Sequence, residues 1–207
     1  MDRGLVLKRF FDLAVALPAF VVSLPVQAVT ALAVRLSMGR PVLFRQRRPG
    51  LDGEVFELVK FRTMHHEDAS RGRVDDASRL TTTGRVLRKL SLDELPSLWN
   101  IVRGDMSLVG PRPLLERYLE RYSPEQARRH EVRPGLTGLA QVSGRNQVSW
   151  EDKLRLDVEY VDTRTFVGDL RILLATVSQV VRGSGVSADG EATMPEFQGN
   201  PVTEERA

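Results

Sequence analysis

Cysteine is absent from the 207 residues, and histidine occurs only at His65, His66 and His130. A thiol nucleophile, a disulfide framework and any cysteine-ligated zinc or iron–sulfur site are therefore excluded. A histidine relay or a His-rich metal site would have to be built from three residues. Lysine is also scarce, with 4 against 26 arginines, so chemistry falls to carboxylates, guanidinium groups and backbone amides. No internal repeat and no G-x-G-x-x-G nucleotide fingerprint is present. Wholesale disorder is excluded as well, because 42% of residues are hydrophobic and 28% are charged. The length suits one or two domains with a packed core.

Charge is present but uneven. The 30 basic and 27 acidic residues leave a formal net charge of +3. Residues 1–48 hold eight basic side chains against Asp2 and Asp12, a balance of +6, which leaves −3 for the rest. The protein therefore reads as a basic N-terminal segment on a mildly acidic body. The excess base flanks an apolar run instead of lining a face interleaved with aromatics, so nucleic acid is not an expected partner.

That apolar run, Leu13 to Val34, carries no charge over 22 residues. As a helix it would extend about 33 Å, enough to cross a bilayer. It is long for a signal peptide, and no small-residue cleavage site follows it. Pro18 and Pro25 lie inside it, and proline removes a helix hydrogen bond and bends the axis. Both flanks are basic: Arg3, Lys8 and Arg9 before, and Arg35, Arg40, Arg45, Arg47 and Arg48 after. Positive residues favour the cytoplasmic side, so a helix–break–helix that dips and returns satisfies both flanks where a single span does not. Ser23 is placed to cap carbonyls freed at a break at Pro25.

Beyond the apolar run, Pro41–Phe44 and Val55–Phe61 read as strands around a turn at residues 49–53, and residues 65–80 read as a polar loop. Thr82–Leu90 has the pattern of a basic amphipathic helix, suited either to solvent or to a membrane surface. Helices are expected over residues 97–102, 113–122, 124–131, 150–161 and 166–181. Residues 133–146 are rich in glycine and turn formers.

Several residues in this body could carry chemistry. Asp93 and Glu94 follow Ser91 at a predicted helix start. Ser91 with Glu94 three residues on fits a capping box, which is a purely structural role. The same place can receive a phosphate, and an adjacent carboxylate pair can divide the work of nucleophile and Mg²⁺ ligand. In Gly110-Pro111-Arg112-Pro113 two prolines clamp one arginine, which suits presentation of its fork to a phosphate; Pro113 closes that clamp. Lys60 and Arg62 supply further positive charge. The loop from Arg133 to Asn146 offers amides and Arg145 that could cradle an anion.

With these motifs in order, the chain resembles the small monotopic phosphoglycosyl transferases, bacterial sugar transferases that act on polyprenol phosphate. The resemblance rests on Lys8-Arg9-Phe10-Phe11-Asp12, Gln46-Arg47-Arg48-Pro49-Gly50, Lys60-Phe61-Arg62-Thr63-Met64, Leu90-Ser91-Leu92-Asp93-Glu94-Leu95-Pro96, Gly104-Asp105-Met106-Ser107, Gly110-Pro111-Arg112-Pro113 and Arg133-Pro134-Gly135-Leu136-Thr137-Gly138. It implies an α/β fold, mostly helical with a small sheet, as a monotopic membrane protein. The implied parts are a re-entrant helix–break–helix over residues 1–40, a catalytic body over 41–182 with interfacial amphipathic helices, and an extended tail over 183–207. It places the protein on the cytoplasmic face of the bacterial inner membrane.

The resemblance also implies a reaction. Asp93 would attack the sugar-bearing phosphate of a UDP-sugar, release UMP and pass the phosphosugar to undecaprenyl phosphate. Mg²⁺ would lie by Asp93 and Glu94. Arg112 and Arg145 match positions that hold nucleotide phosphates or uridine, and Arg88 matches a position facing the lipid phosphate. The implied partners are the UDP-sugar, the polyprenol phosphate, membrane lipids and downstream glycosyltransferases. The tail from Ser184 to Asn200 resembles that of enzymes acting on N,N′-diacetylbacillosamine. One departure is that many members carry Ser-Pro where this chain has Leu24-Pro25, which turns Ser23 about 100° around the helix. A catalytically silent membrane-bound nucleotide-sugar binder or scaffold is the alternative.

Overall fold

The computed structural model describes residues 3–144, 149–182 and 196–199. Helix α1 runs from Arg3 to Met38, 36 residues, with Pro18 and Pro25 inside it. At 1.5 Å per residue it would be about 54 Å long if straight. The expected division into two helices is not seen: α1 stays helical across both prolines. An interior proline removes one hydrogen bond and bends a helix without ending it when neighbouring turns hold. The carbonyl freed by Pro25 belongs to Val21, four residues back and on the exposed side. The Ser23 hydroxyl instead donates to the Phe20 carbonyl at 2.9 Å and accepts from Gln27 Nε2 at 2.9 Å. Ser23 therefore does not cap the carbonyl that Pro25 releases.

The less exposed positions of α1 form one stripe: Asp12, Ala16, Phe20, Ser23, Gln27, Thr30, Val34 and Met38. Steps of three and four residues put them on a single face. The three uncharged polar residues of the apolar run thus lie on this stripe. Much of the rest is exposed and apolar, including Leu17, Val22, Val29, Leu32 and Leu36.

Strands β1 (Leu43–Pro49) and β2 (Val55–Phe61) form an antiparallel hairpin, with Leu43 opposite Phe61 and Pro49 opposite Val55. The first strand was expected at Pro41–Phe44. It runs instead from Leu43 to Pro49, with exposed Arg45 ion-paired across the hairpin to Glu57 at 2.6 Å and with Gln46 and Arg48 less exposed than Arg45 and Arg47. The polar loop from residue 65 contains the short helix α2 (Asp76–Arg79), capped by Asp75. Helix α3 (Thr82–Lys89) follows, with Leu87 inward and Val86 outward.

Helix α4 (Ser97–Arg103) binds the hairpin through its side chains. Buried Ser97 donates to Val59 O at 2.8 Å. Buried Asn100 accepts from Val59 N at 3.1 Å and donates to Glu57 O at 2.8 Å. Strands β3 (Ser107–Val109) and β4 (Gly135–Thr137) form a parallel pair that the turn-rich composition of residues 133–146 did not suggest. Gly110 and Gly135 make this pairing possible, because a Cβ on Gly135 would sit 2.1 Å from the Gly110 nitrogen. The amides of Gly110 and Gly135 bond to Thr137 O and Pro111 O, each at 2.9 Å. Those amides are committed to backbone pairing and do not cradle an anion.

The short helices α5 (Pro124–Ala127) and α6 (Leu139–Val142) lead to α7 (Trp150–Thr163) and α8 (Phe166–Arg182). Residues 116–121 and 128–130 are 3₁₀ turns where longer helices were expected. The core joins Ala16 of α1, Leu58, Leu98, Ile101, Met106, Leu108, Val109, Tyr160 and Ile172. From the tail, Phe197 is buried against Tyr118, Tyr122 and Trp150. Residues 183–195 and 200–207 lie outside the described residues, and with them most of the tail segment compared above.

Both ends of α1 are fixed to this body. Near its start, Lys8 pairs with Asp169 of α8 at 2.5 Å. Arg9 donates to the carbonyls of Ile101 and Val102 at 2.6 and 2.9 Å, and Asp12 accepts from Leu108 N at 3.0 Å. Near its end, Val34 packs with Phe61 and Leu87. Arg62 donates to the carbonyls of Met38, Gly39 and Arg40.

Candidate active site

Asp93 and Glu94 sit in a 3₁₀ turn, Leu92–Glu94, between α3 and α4. Ser91 precedes it in the left-handed region, φ 54°, and its side chain makes no capping bond. The capping box is therefore not formed, and Glu94 is released for another role.

That role is visible in its contacts. One carboxylate oxygen, Glu94 Oε1, accepts from Lys60 Nζ at 2.6 Å and from Arg112 at 2.7 Å. Lys60 comes from β2, and Arg112 from the proline-clamped loop after β3. Burial alone would raise the Glu94 carboxyl, but Arg112 and Lys60 hold it well below the ordinary carboxylate range. Glu94 in turn raises Arg112. Burial lowers Lys60, with Glu94 opposing the shift.

Asp93 differs from its neighbour. It is buried, with 8% of its surface exposed. Burial raises its pKa and the Glu94 charge adds to the shift, while Lys60, Arg88 and Arg112 oppose it. No hydrogen bond or ion pair falls on its side chain among the described residues. Arg88, on α3, is anchored by its Nε to the Thr63 hydroxyl at 3.1 Å. Burial lowers Arg88, and the Asp93 charge partly restores it.

The cleft beside Glu94 is lined by Arg48, Lys60, Arg112, Pro113 and Leu136 among others. The structure thus brings together Lys60, Arg112, Pro113, Asp93 and Glu94, with Arg88 within electrostatic reach. Arg62 is placed elsewhere, because its guanidinium is spent on the carbonyl end of α1. Arg145 lies outside the described residues.

Two contributors were missed in the sequence. Arg48 reaches the cleft from β1 and donates to Pro113 O at 3.2 Å and to Gln46 at 2.5 Å. Burial, aided by Arg112, lowers its pKa to about 10, so it stays charged at neutral pH. Strand alternation with Arg47 could have flagged it, but the strand was expected to end at Phe44, which left Arg48 without a face. The second is Arg129. Fully buried, it holds Asp157 of α7 at 2.7 Å and donates to the Arg112 carbonyl at 2.7 Å. No linear signal joins residues 112, 129 and 157.

A metal can be accommodated here in one sense. Among the described residues no cluster of three His, Cys, Asp or Glu side chains exists. Mg²⁺ commonly takes one or two carboxylates and completes its shell with substrate phosphates and water. An uncommitted Asp93 next to Glu94 fits that mode. Three cations facing one pinned carboxylate also favour a ligand with several phosphate charges.

Comparison with known proteins agrees with this chemistry. Residues 3–183 match the family described as Bacterial sugar transferase. A Bacillus subtilis protein named "Uncharacterized sugar transferase EpsL" is 51% identical over 197 residues, covering 95% of this chain and 98% of the relative. The UDP-glucose:undecaprenyl-phosphate glucose-1-phosphate transferase of Caulobacter vibrioides is 43% identical over 187 residues, covering 84% of this chain and 69% of the relative. The undecaprenyl-phosphate galactose phosphotransferase of Salmonella typhimurium is 35% identical, covering 86% of this chain and 41% of that longer protein.

Proposed function

Because the chain belongs to the bacterial sugar transferase family, as a phosphoglycosyl transferase, we propose that it moves a sugar-1-phosphate from a UDP-sugar to undecaprenyl phosphate through Asp93. The observation that carries this reading is the division within the carboxylate pair. Glu94 is tied to two cations, whereas Asp93 is buried, uncommitted and within reach of their field.

In the first step an Asp93 carboxylate oxygen bonds to the sugar-bearing phosphorus, and the bond from that phosphorus to the bridging oxygen breaks. The bridging oxygen leaves with UMP. In the second step a phosphate oxygen of undecaprenyl phosphate attacks the same phosphorus. The aspartyl bond breaks, giving undecaprenyl diphosphosugar and restoring the Asp93 carboxylate. Two displacements on one residue give ping-pong kinetics. Arg112, Arg48 and Lys60 orient the diphosphate and oppose its charge, so that an anionic nucleophile can approach. Arg112 and Lys60 turn part of their hydrogen bonding from Glu94 to the phosphates. Arg88, whose charge bears on Asp93, meets the lipid phosphate. Asp93 and Glu94 would hold Mg²⁺ with the substrate phosphates; when bound, it supplies Lewis-acid neutralisation of phosphoryl charge.

The sugar named for the Caulobacter relative is glucose and for the Salmonella relative galactose, which supports a UDP-hexose donor over the aminosugar suggested by the tail. The site faces the membrane from the cytoplasm. The attachment of both ends of α1 to one body supports both ends lying on one side of the bilayer. The exposed apolar residues of α8, from Phe166 to Val181, support an interfacial position beside α1, against which Phe166 packs on Phe11 at 5.1 Å.

The test is a donor panel with Mg²⁺ and no lipid acceptor. UDP-glucose, UDP-galactose and UDP-N,N′-diacetylbacillosamine are offered in turn, and UMP and protein-bound phosphosugar are measured. The cognate donor releases about one UMP per enzyme and leaves an adduct, as expected for a covalent intermediate. Asp93→Asn yields neither. An adduct on Asp93→Asn would remove Asp93 from the nucleophile's role, and UMP release without an adduct would remove the covalent step.

A further inference from the structure

We propose that the protein carries a second anion site, separate from the Asp93–Glu94 cleft, which holds the phosphate of an anionic lipid headgroup at the carboxyl end of α1. An open basin of about 340 Å³ lies between that end and residues 62–73. It shares no lining residue with the cleft beside Glu94.

Arg40, Arg62, Arg71 and Arg73 line the basin with His65 and His66, and the acids there are Glu67 and Asp68. Four guanidinium groups against two carboxylates leave an excess of two positive charges before either histidine is counted. Asp68 is already engaged, by Ser70 at 2.6 Å and by Arg71 at 3.5 Å. No ion pair reaches Arg40 or Arg73 among the described residues, although Arg73 is half-buried. Arg62 adds an orphan: two of its nitrogens serve the last carbonyls of α1, but its buried Nε has no hydrogen-bond partner. Arg62 thus adds its positive charge from beneath the basin, while the more open Arg40, Arg71 and Arg73 are the ones that can meet an anion. His65 agrees in sign, since burial lowers its pKa and Arg73, Arg62 and Arg71 lower it further.

Phosphate chemistry alone fits a free phosphate as well as a headgroup. Position selects the headgroup. Leu36 is 78% exposed beside Ser37 of the basin, and Val74 is 60% exposed beside Arg73. These two exposed apolar residues are next in the chain to lining residues of a basin at the end of the apolar helix. Arginines in that position take lipid phosphates, with bidentate forks for specificity.

The experiment is native mass spectrometry of the full chain in detergent. Dioctanoyl phosphatidylglycerol, dioctanoyl phosphatidylcholine and inorganic phosphate are offered separately and in competition. The wild type retains phosphatidylglycerol in preference to phosphatidylcholine. Arg40→Gln/Arg73→Gln loses that preference by roughly tenfold or more, at about 1 kcal/mol for each arginine near a lipid surface. Arg85→Gln, an exposed cation of α3 outside the basin, keeps it. UMP release stays at the wild-type level in the double variant, which separates this site from the catalytic reading. Equal retention by the double variant and the wild type overturns the proposal, as does equal loss in Arg85→Gln. Retention of inorganic phosphate with no preference between the two lipids overturns the headgroup assignment.

Discussion

At the residue scale, Asp93 and Glu94 are adjacent in the chain yet held in opposite electrostatic states. Burial raises Asp93, while Arg112 and Lys60 overcome burial at Glu94. This difference has a consequence for stability. Below the unfolded-state value of about 3.9 Asp93 is protonated in both states, and its contribution to stability is greatest. As pH rises through the higher folded-state value the buried carboxylate ionises and that contribution is lost. Asp93→Asn is therefore expected to be inactive but to melt a few degrees higher than wild type at pH 7. The gap closes as pH falls toward 4 in thermal melts; equal melting temperatures at pH 7 would refute the burial argument. By the same sign, the rate of adduct formation in wild type falls on acidification at a pH above the ordinary aspartate range. Asp93, Glu94, Lys60 and Arg112 were legible because each stands in a short motif with a local chemical logic. Arg62 also stood in such a motif, yet it caps α1. Counting its charge could not show that three backbone carbonyls would claim it.

At the element scale, the proline-clamped loop owes its position to α7. Asp157 fixes Arg129, which fixes the Arg112 carbonyl. Removing one partner of a buried ion pair costs about 3–5 kcal/mol, whereas replacing both with apolar residues is often neutral. Asp157→Ala is accordingly expected to lower the urea midpoint strongly. Arg129→Met/Asp157→Leu recovers much of the stability, but KM for the UDP-sugar stays raised because the Arg112 carbonyl has lost its donor. Full recovery of both would make the pair merely structural. Helices α3, α7 and α8 and strand β2 could be read from hydrophobic periodicity and turn residues, whereas of β1 only Leu43 and Phe44 fell within the expected strand. The β3–β4 pair could not, since two three-residue strands 28 positions apart leave no periodic trace. Their glycines looked like an exposed loop because close backbone approach and turn formation call for the same residue.

At the scale of the whole molecule, the arrangement of α1 decides how the body meets the bilayer. The apolar run and its basic flanks were legible, and they led to an expectation of two helices separated at a break. The structure has one continuous helix on the body instead, held by partners along its inner stripe. The absence of cysteine makes the topology easy to probe. Single cysteines at position 2 and position 40 are both expected to react with an impermeant thiol reagent in inside-out vesicles and not in intact cells. Reaction of either in intact cells would place the ends of α1 on opposite sides.

The polar fasteners of α1 are distant in the chain. Arg9 waits for Ile101 and Val102, Asp12 for Leu108, and Lys8 for Asp169. During synthesis the helix leaves the ribosome with none of these groups yet made. Until about residue 108 has emerged, Asp12 has no amide to bond, and burying it unpaired in lipid is unfavourable. On the one-sided topology proposed above, the anchor therefore reaches its final seat late, and it must be kept from committing to the bilayer as an ordinary span while the rest of the protein is translated.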